Sequence, residues 1–251
     1  MGMMVTGKFY MLNSYLKANW SAPKNVKTLI TTRTSPDDND FNLALHVGDN
    51  PKNVIHNRQM LSISLPNEPK WLSQTHTNLV LDLDKNEADG KSYDAAITTT
   101  NSTVCVVMTA DCIPILITNT AGSFAGAIHA GWRGVQNNII SNTISQSKTS
   151  AKNIIAYIGP AICAKHFEVG SDVFDIFFAL DTDNKVFFTP KNNDKFECDL
   201  ISIAKLQLVK LGVLEHNIYF SNLCTYCKND LFYSYRKEKN TGRFASTIWL
   251  E

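Results

Sequence analysis

His76, Cys112 and His129 bring one thiol and two imidazoles into a chain of 251 residues, at separations of 36 and 17 residues. That set suits zinc, which takes three protein ligands at catalytic sites and keeps a fourth position for water. The cation would then stabilise hydroxide near neutral pH. The spacing matches no local metal motif, so two other readings stand beside this one. Cys112 can pack as a small apolar side chain while the histidines bond locally, or it can be a nucleophile with a histidine as its base. His46 near Asp49 can form an oriented acid/base pair or sit as a surface histidine beside a turn. Arg58 and Arg133 can bind phosphate or carboxylate through paired N–H groups, or serve as structural ion-pair partners. Cys224 and Cys227 form a single CxxC without a second cysteine pair, which reads as structural or incidental. Cys105, Cys163 and Cys198 receive no role.

The elements around Cys112 decide whether these side chains can meet. Val104 to Thr109, Ile113 to Thr118 and Phe124 to His129 are apolar runs that read as buried strands. Pro114 supports a break between the first two, where Asp111 and Cys112 fall. Val135 to Ser147 has helical spacing. The core stretch is thus strand, Cys, strand, turn, strand, His, helix, and strand ends are where α/β proteins commonly place chemistry.

Further strands are predicted over Val26 to Thr32, Lys70 to His76, Ile154 to Ile158, Val186 to Phe188, Ile218 to Ser221 and Phe244 to Leu250, with an extended segment over Leu79 to Leu83. Helices are predicted from Pro51, over Ser171 to Leu180 with a capping serine, and over Leu200 to Leu211 ending at Gly212. Phe9 to Leu16 reads as strand or short helix. Phe232, Tyr233 and Tyr235 pack a strand or wall a pocket for a flat base.

Composition narrows the function classes. A chain 44% hydrophobic and 19% charged is that of an ordinary globular protein, and a net charge of +1 gives no footprint for nucleic acid or an anionic membrane. No window is long and apolar enough to span a bilayer, and no signal peptide is expected. Six cysteines without a secretory signal point to a reducing cytoplasm rather than a disulfide framework.

The sequence resembles the YfiH family, the laccase-domain proteins described both as polyphenol oxidases and as purine nucleoside phosphorylases. The matching pieces are Phe41-Asn-Leu with His46-Val-Gly-Asp49, Asn57-Arg58, Gln74-Thr-His76, Thr109-Ala-Asp-Cys112 and His129-Ala-Gly-Trp-Arg-Gly134. Ile158-Gly-Pro-Ala-Ile, Phe167-Glu-Val-Gly170, Cys224-Thr-Tyr, Phe232-Tyr-Ser-Tyr-Arg236 and Thr241-Gly-Arg243 continue the match. The resemblance implies one α+β domain over residues 1–251, with mixed sheets packed together and flanked by helices. It implies zinc on His76, Cys112 and His129. The activity it implies is phosphate-dependent cleavage of adenosine, inosine and methylthioadenosine, with deamination of adenosine alongside. Arg58 is then the first candidate for the phosphate, with Arg133 behind it and Asn42 as a further substrate contact. Cys112, His46 and Asp111 are the catalytic candidates, the last two for moving protons. Where the family usually carries Gly-Gly-x-Ser, Arg33 leads into Thr34-Ser-Pro, and glycines usual in the family are here Thr77 and Cys163.

A copper-dependent polyphenol oxidase is the main alternative, since His₂Cys can also bind copper. Multicopper oxidation needs a histidine-rich cluster, and this chain has six histidines in all. Editing of peptidoglycan precursors by the same residues is a third reading, and a binding module with a structural metal a fourth. A fourth protein ligand at the site would favour the module.

Overall fold

Strands that are apolar along their whole length bury both faces, which requires a layer on each side. The computed structural model describes residues 15–35, 39–85 and 90–251. One sheet has the order β1 (Tyr15–Leu16), β2 (Val26–Thr31), β13 (Phe244–Leu250) and β5 (Cys105–Thr109), antiparallel throughout. A second has the order β12 (Ile218–Phe220), β8 (Ile154–Ile158), β6 (Ile113–Asn119), β7 (Ala125–Ala130), β4 (Ala95–Thr98) and β3 (Val80–Asp82). Its outermost pairs are parallel and its inner pairs antiparallel. A small antiparallel sheet joins β10 (Phe188–Pro190), β11 (Lys195–Cys198) and β9 (Glu168–Gly170).

The alternation of side chains sorts the core into three slabs. Ile30, Val107 and Ile248 face Leu116, Ala127 and Tyr157 between the two large sheets. Leu29, Val106 and Trp249 point the other way, onto Leu61 of α1 (Pro51–Ser62). Ile115, Ile117 and Ile128 leave the opposite face of the second sheet. They meet Ile140 of α3 (Ile139–Gln146), Phe177 of α4 (Ser171–Leu180) and Leu208 of α5 (Leu200–Lys210). The layers therefore run helix, sheet, sheet, helices, the mixed α+β architecture expected. Leu116 is fully buried between the sheets, so truncating it to alanine costs about 2–5 kcal/mol.

Several expectations need correcting. The helix expected over Val135 to Ser147 is two: α2 (Trp132–Gln136) and α3, separated at Asn137 and Asn138. Asn138 has φ +67, a left-handed conformation that asparagine tolerates and that ends the first helix. Lys70 to His76 forms no strand beyond a single bridge from Lys70 to Cys105. Val186 and Phe187 end a 3₁₀ turn before β10, and α4 is capped by Gly170 rather than by the Ser171 side chain. Phe232 and Tyr233 are buried outside regular strands and pack with Phe244 of β13, while Tyr235 lies in a turn. Pro114 sits inside β6 opposite His129, and the break comes before it, at residues 110–112. Of the segment Phe9 to Leu16, residues 9–14 lie outside the described residues and the rest is β1.

Candidate metal centre

Between β5 and β6 the chain leaves one large sheet for the other, and Asp111 and Cys112 occupy that crossing. Asp111 adopts φ +88, which costs of order 1–3 kcal/mol for a residue with a Cβ unless its surroundings hold it there. They do. Thr225 Oγ1 donates to Oδ1 at 2.6 Å, the Arg236 amide donates to Oδ2 at 2.6 Å, and the Ile162 amide donates to the Asp111 carbonyl at 3.0 Å. The register of β6 on β7 pairs Ile113 with Ala130, which sets Cys112 beside Gly131 and next to His129 at the end of β7.

His76 arrives on a loop with φ +63, held from two sides. The Gln74 side chain pairs with the Met108 backbone as a strand would, donating to its carbonyl at 2.9 Å and accepting from its amide at 2.8 Å. The carboxylate of Asp94, fully buried immediately before β4, accepts the amides of His76 at 3.0 Å and Thr77 at 2.6 Å and the Thr77 hydroxyl at 2.8 Å. The same carboxylate lies 2.6 Å from His129 Nδ1. A proton on Nδ1 directed at Asp94 leaves Nε2 free as a ligand, the carboxylate–histidine arrangement that usually backs a metal.

His76, Cys112 and His129 thereby place one ligand atom each within 4.8 Å of one another, with His76 Nε2 3.6 Å from Cys112 Sγ. No fourth Cys, His, Asp or Glu joins this group among the described residues. Gly131 forms the wall behind it: a Cβ there would lie 2.5 Å from the His76 ring and 3.1 Å from Cys112 Sγ. Burial opposes the Cys112 thiolate, but the His129 charge and the hydrogen bonds from both histidines bring its pKa down to about 6. Burial likewise opposes the His129 imidazolium, which the Cys112 thiolate and Asp94 raise to about 9. Asp94, though buried, is held below the usual carboxylate range by His129 and Thr77. The three side chains together offer a soft N/S donor set that suits zinc.

All three ligands line one cavity of about 510 Å³, together with His46, Asp111 and Arg133. Trp132, Phe167 and Tyr235 give it aromatic surface, and Arg236, Lys239 and Arg243 add positive charge. Asp111 is its one acidic residue among the described residues, and both its oxygens are engaged. Burial, Arg243 and Arg58 hold the His46 pKa below its ordinary value. Asp49 does not form a pair with His46; it accepts from Asn42 at 2.9 Å and from the Asn50 amide.

Arg58 and Asn42 do not line the cavity. Arg58 donates Nε to the Leu43 carbonyl at 2.9 Å and its guanidinium lies 4.0 Å over Trp71. Asn42 bonds Ala44 in both directions and accepts the Arg243 amide at 2.9 Å, bracing the loop that carries His46. Sequence reasoning missed Asp94, whose signal is a lone acid opening the apolar strand Asp94-Ala-Ala-Ile, and missed Arg236, Lys239 and Arg243 as pocket cations. It also missed that Cys163 and His166 stand beside the CxxC.

Comparison with known proteins places the chain in a family. The family described as multi-copper polyphenol oxidoreductase laccase matches residues 28–251. The purine nucleoside phosphorylase YfiH of Escherichia coli strain K12 is 39% identical over 245 residues, covering 95% of this chain and 100% of that protein. A purine nucleoside phosphorylase of Haemophilus influenzae is 39% identical, covering 94% and 99%. A crystal structure of a Neisseria meningitidis protein superposes with a TM-score of 0.87 at 40% identity, covering 95% of this chain and 99% of that one. A Bacillus licheniformis hypothetical protein YfiH superposes with a TM-score of 0.82 at 27% identity, covering 90% and 93%. The chain belongs to the YfiH-like family of laccase-domain proteins.

Proposed function

We propose that this chain is a cytoplasmic, zinc-dependent purine nucleoside phosphorylase acting on adenosine, inosine and methylthioadenosine, with adenosine deamination as a second activity. The observation that carries the phosphorolytic reading is the charge of the cavity. Arg133, Arg236, Lys239 and Arg243 line it against one already engaged carboxylate, in a chain of net charge +1. Such a concentration suits an anionic co-substrate beside an uncharged one.

Each part of the cavity then has a task. Trp132, Phe167 and Tyr235 offer faces for the flat purine. The cations hold phosphate, whose oxygen forms the new bond to the ribose C1′ as the C1′–N9 bond breaks. His46, whose charged form is disfavoured by partial burial and by two arginines, takes the phosphate proton and returns it to the departing base. Asp111 acts by position, holding the strained turn that presents Cys112. Asp94 orients both histidine ligands. His76, Cys112 and His129 would hold the zinc, which supplies Lewis acidity and, for deamination at purine C6, an activated water. The six free thiols accord with a reducing compartment, and no helix of the described residues is long and apolar enough to cross a membrane.

The copper reading draws on the family's description and on the same His₂Cys set. Only His46, His76 and His129 line the cavity, too few for the cluster that multicopper oxidation requires. The test is turnover of inosine and adenosine by metal-quantified protein, with and without phosphate, beside Cys112→Ala. Phosphate-dependent release of base that the variant loses is the expected result. Zinc-replete protein inert towards both nucleosides would overturn the reading and move attention to peptidoglycan precursors.

A further inference from the structure

A second group of ligands lies outside the cavity. Cys163, His166, Cys224 and Cys227 place their ligand atoms within 4.8 Å of one another. The topology brings them together: β8 and β12 are parallel neighbours, so the loops leaving their C-terminal ends emerge side by side, tied by a bridge between Ala161 and Cys224. Each loop contributes two ligands three residues apart, Cys163 with His166 and Cys224 with Cys227. The CxxC therefore does have a second pair, supplied by a Cys-x-x-His far away in sequence.

The local geometry is that of metal-ligating turns rather than of thiols packed at random. Cys224 Sγ accepts the backbone amides of Cys163 at 3.3 Å and Cys227 at 3.5 Å, a pattern that favours a thiolate. His166 Nδ1 lies 3.2 Å from Cys163 Sγ and 3.4 Å from Cys227 Sγ. Bond lengths of about 2.3 Å to sulfur and 2.0–2.1 Å to nitrogen at tetrahedral angles would set ligand atoms roughly 3.5 Å apart, close to these distances. Stacking on Tyr226, with ring centroids 4.1 Å apart and planes 14° apart, fixes the imidazole. A disulfide would use two of the three thiols and leave the third sulfur and the imidazole converging on nothing.

We infer that Cys163, His166, Cys224 and Cys227 form a structural zinc site. Four protein ligands close the tetrahedron and leave no position for substrate. Zinc binding releases the protons of those thiols still protonated, and no electron is transferred. The site is also wired to the cavity. Thr225, between the two cysteines of the CxxC, donates to Asp111, and the His166 carbonyl accepts Arg236 Nη1 at 3.1 Å. Phe167, which follows His166, lines the cavity beneath the Arg236 guanidinium. The ion would clamp the two loops that hold the Asp111 turn and one wall of the pocket.

The inference does not depend on which reaction the cavity performs, and metal stoichiometry tests it without turnover. Protein purified under reducing conditions, reconstituted with excess zinc and freed of loosely bound ion is analysed by elemental mass spectrometry. The wild type should carry about two zinc ions per chain, one for each cluster. Cys112→Ala should retain the second zinc, and Cys112→Ala with Cys227→Ser should lose both. Cys227 is exposed, so its serine variant is the one best placed to keep the fold, checked by circular dichroism. Cobalt loaded into Cys112→Ala should show an intense thiolate-to-cobalt charge-transfer band that adding Cys227→Ser weakens sharply. Zinc content unchanged by Cys227→Ser would overturn the inference, as would a Cys112→Ala protein that takes up no zinc. A mass lower by two hydrogens with two thiols protected from alkylation, or iron in place of zinc after reconstitution, would also overturn it.

Discussion

Asp94→Asn isolates how far the metal centre depends on one buried carboxylate. In the native site Oδ1 faces His129 Nδ1 and the His76 amide, while Oδ2 accepts the amides of Thr75 and Thr77 and the Thr77 hydroxyl. Asparagine preserves the shape and can keep an oxygen towards the two histidines. Its NH₂ then confronts the Thr75 and Thr77 amides, donors against donors, in a position without access to water. Each buried donor left unpaired costs about 1–3 kcal/mol, so the fold should lose roughly 2 kcal/mol or more. Loss of the negative charge also weakens the orientation and basicity of His129. Replacing such a partner typically costs about 10–100-fold in metal affinity, or roughly 1.4–2.7 kcal/mol. The assay is zinc competition against a chromophoric chelator, beside urea unfolding of the metal-free protein. A variant that binds zinc within about twofold of the wild type, well below the loss expected for such a partner, would refute the claim that Asp94 sets both histidines.

Gly131→Ala should abolish tight metal binding at the His76, Cys112 and His129 centre while leaving the fold intact, because the added methyl group lies 2.5 Å from the His76 ring; unchanged zinc content would count against this geometry. Proton release on zinc uptake should depend on pH with a definite sign. Between about 6 and 9 the metal-free pair is Cys112 thiolate with His129 imidazolium, so uptake should release about one proton from this pair, taken from His129. In Cys227→Ser protein, where this centre is read alone, the release should fall towards none above 9 and rise towards two below 6, measurable by calorimetry in buffers of different ionisation enthalpy. Arg236→Gln should raise the phosphate KM by about tenfold or more, as expected on losing a charge-assisted contact. Arg58→Ala should lower stability with the phosphate KM unchanged, because Arg58 braces Leu43 and Trp71 outside the cavity.

How much of this was legible depended on whether the signal was local. The strands flanking Cys112 announced themselves through β-branched runs, and β13 falls on Phe244 to Leu250 as expected. His76, Cys112 and His129 were named from the sequence, and the structure brings them together. Their convergence depends on a crossing between two sheets and on the β6–β7 register, neither of which periodicity encodes. The Asn138 break stayed hidden because the apolar spacing continues across it. Arg58 was the first phosphate candidate through the family resemblance at Asn57-Arg58; tertiary packing directs its Nε to the Leu43 carbonyl. Arg243 and Arg236 reach the cavity from the last turns of the chain, more than a hundred residues from Cys112. The second cluster was invisible for the same reason, its two halves being joined only by the pairing of β8 with β12.

The central claim is that a cationic, metal-bearing cavity directs phosphate rather than water to the ribose carbon. The most direct measurement is the product balance of inosine cleavage in phosphate buffer by zinc-loaded protein, following ribose 1-phosphate by phosphorus magnetic resonance and hypoxanthine by absorbance. Equal amounts of the two products are expected, with no free ribose and no turnover when phosphate is withheld. Free ribose formed at the same rate with or without phosphate would contradict it.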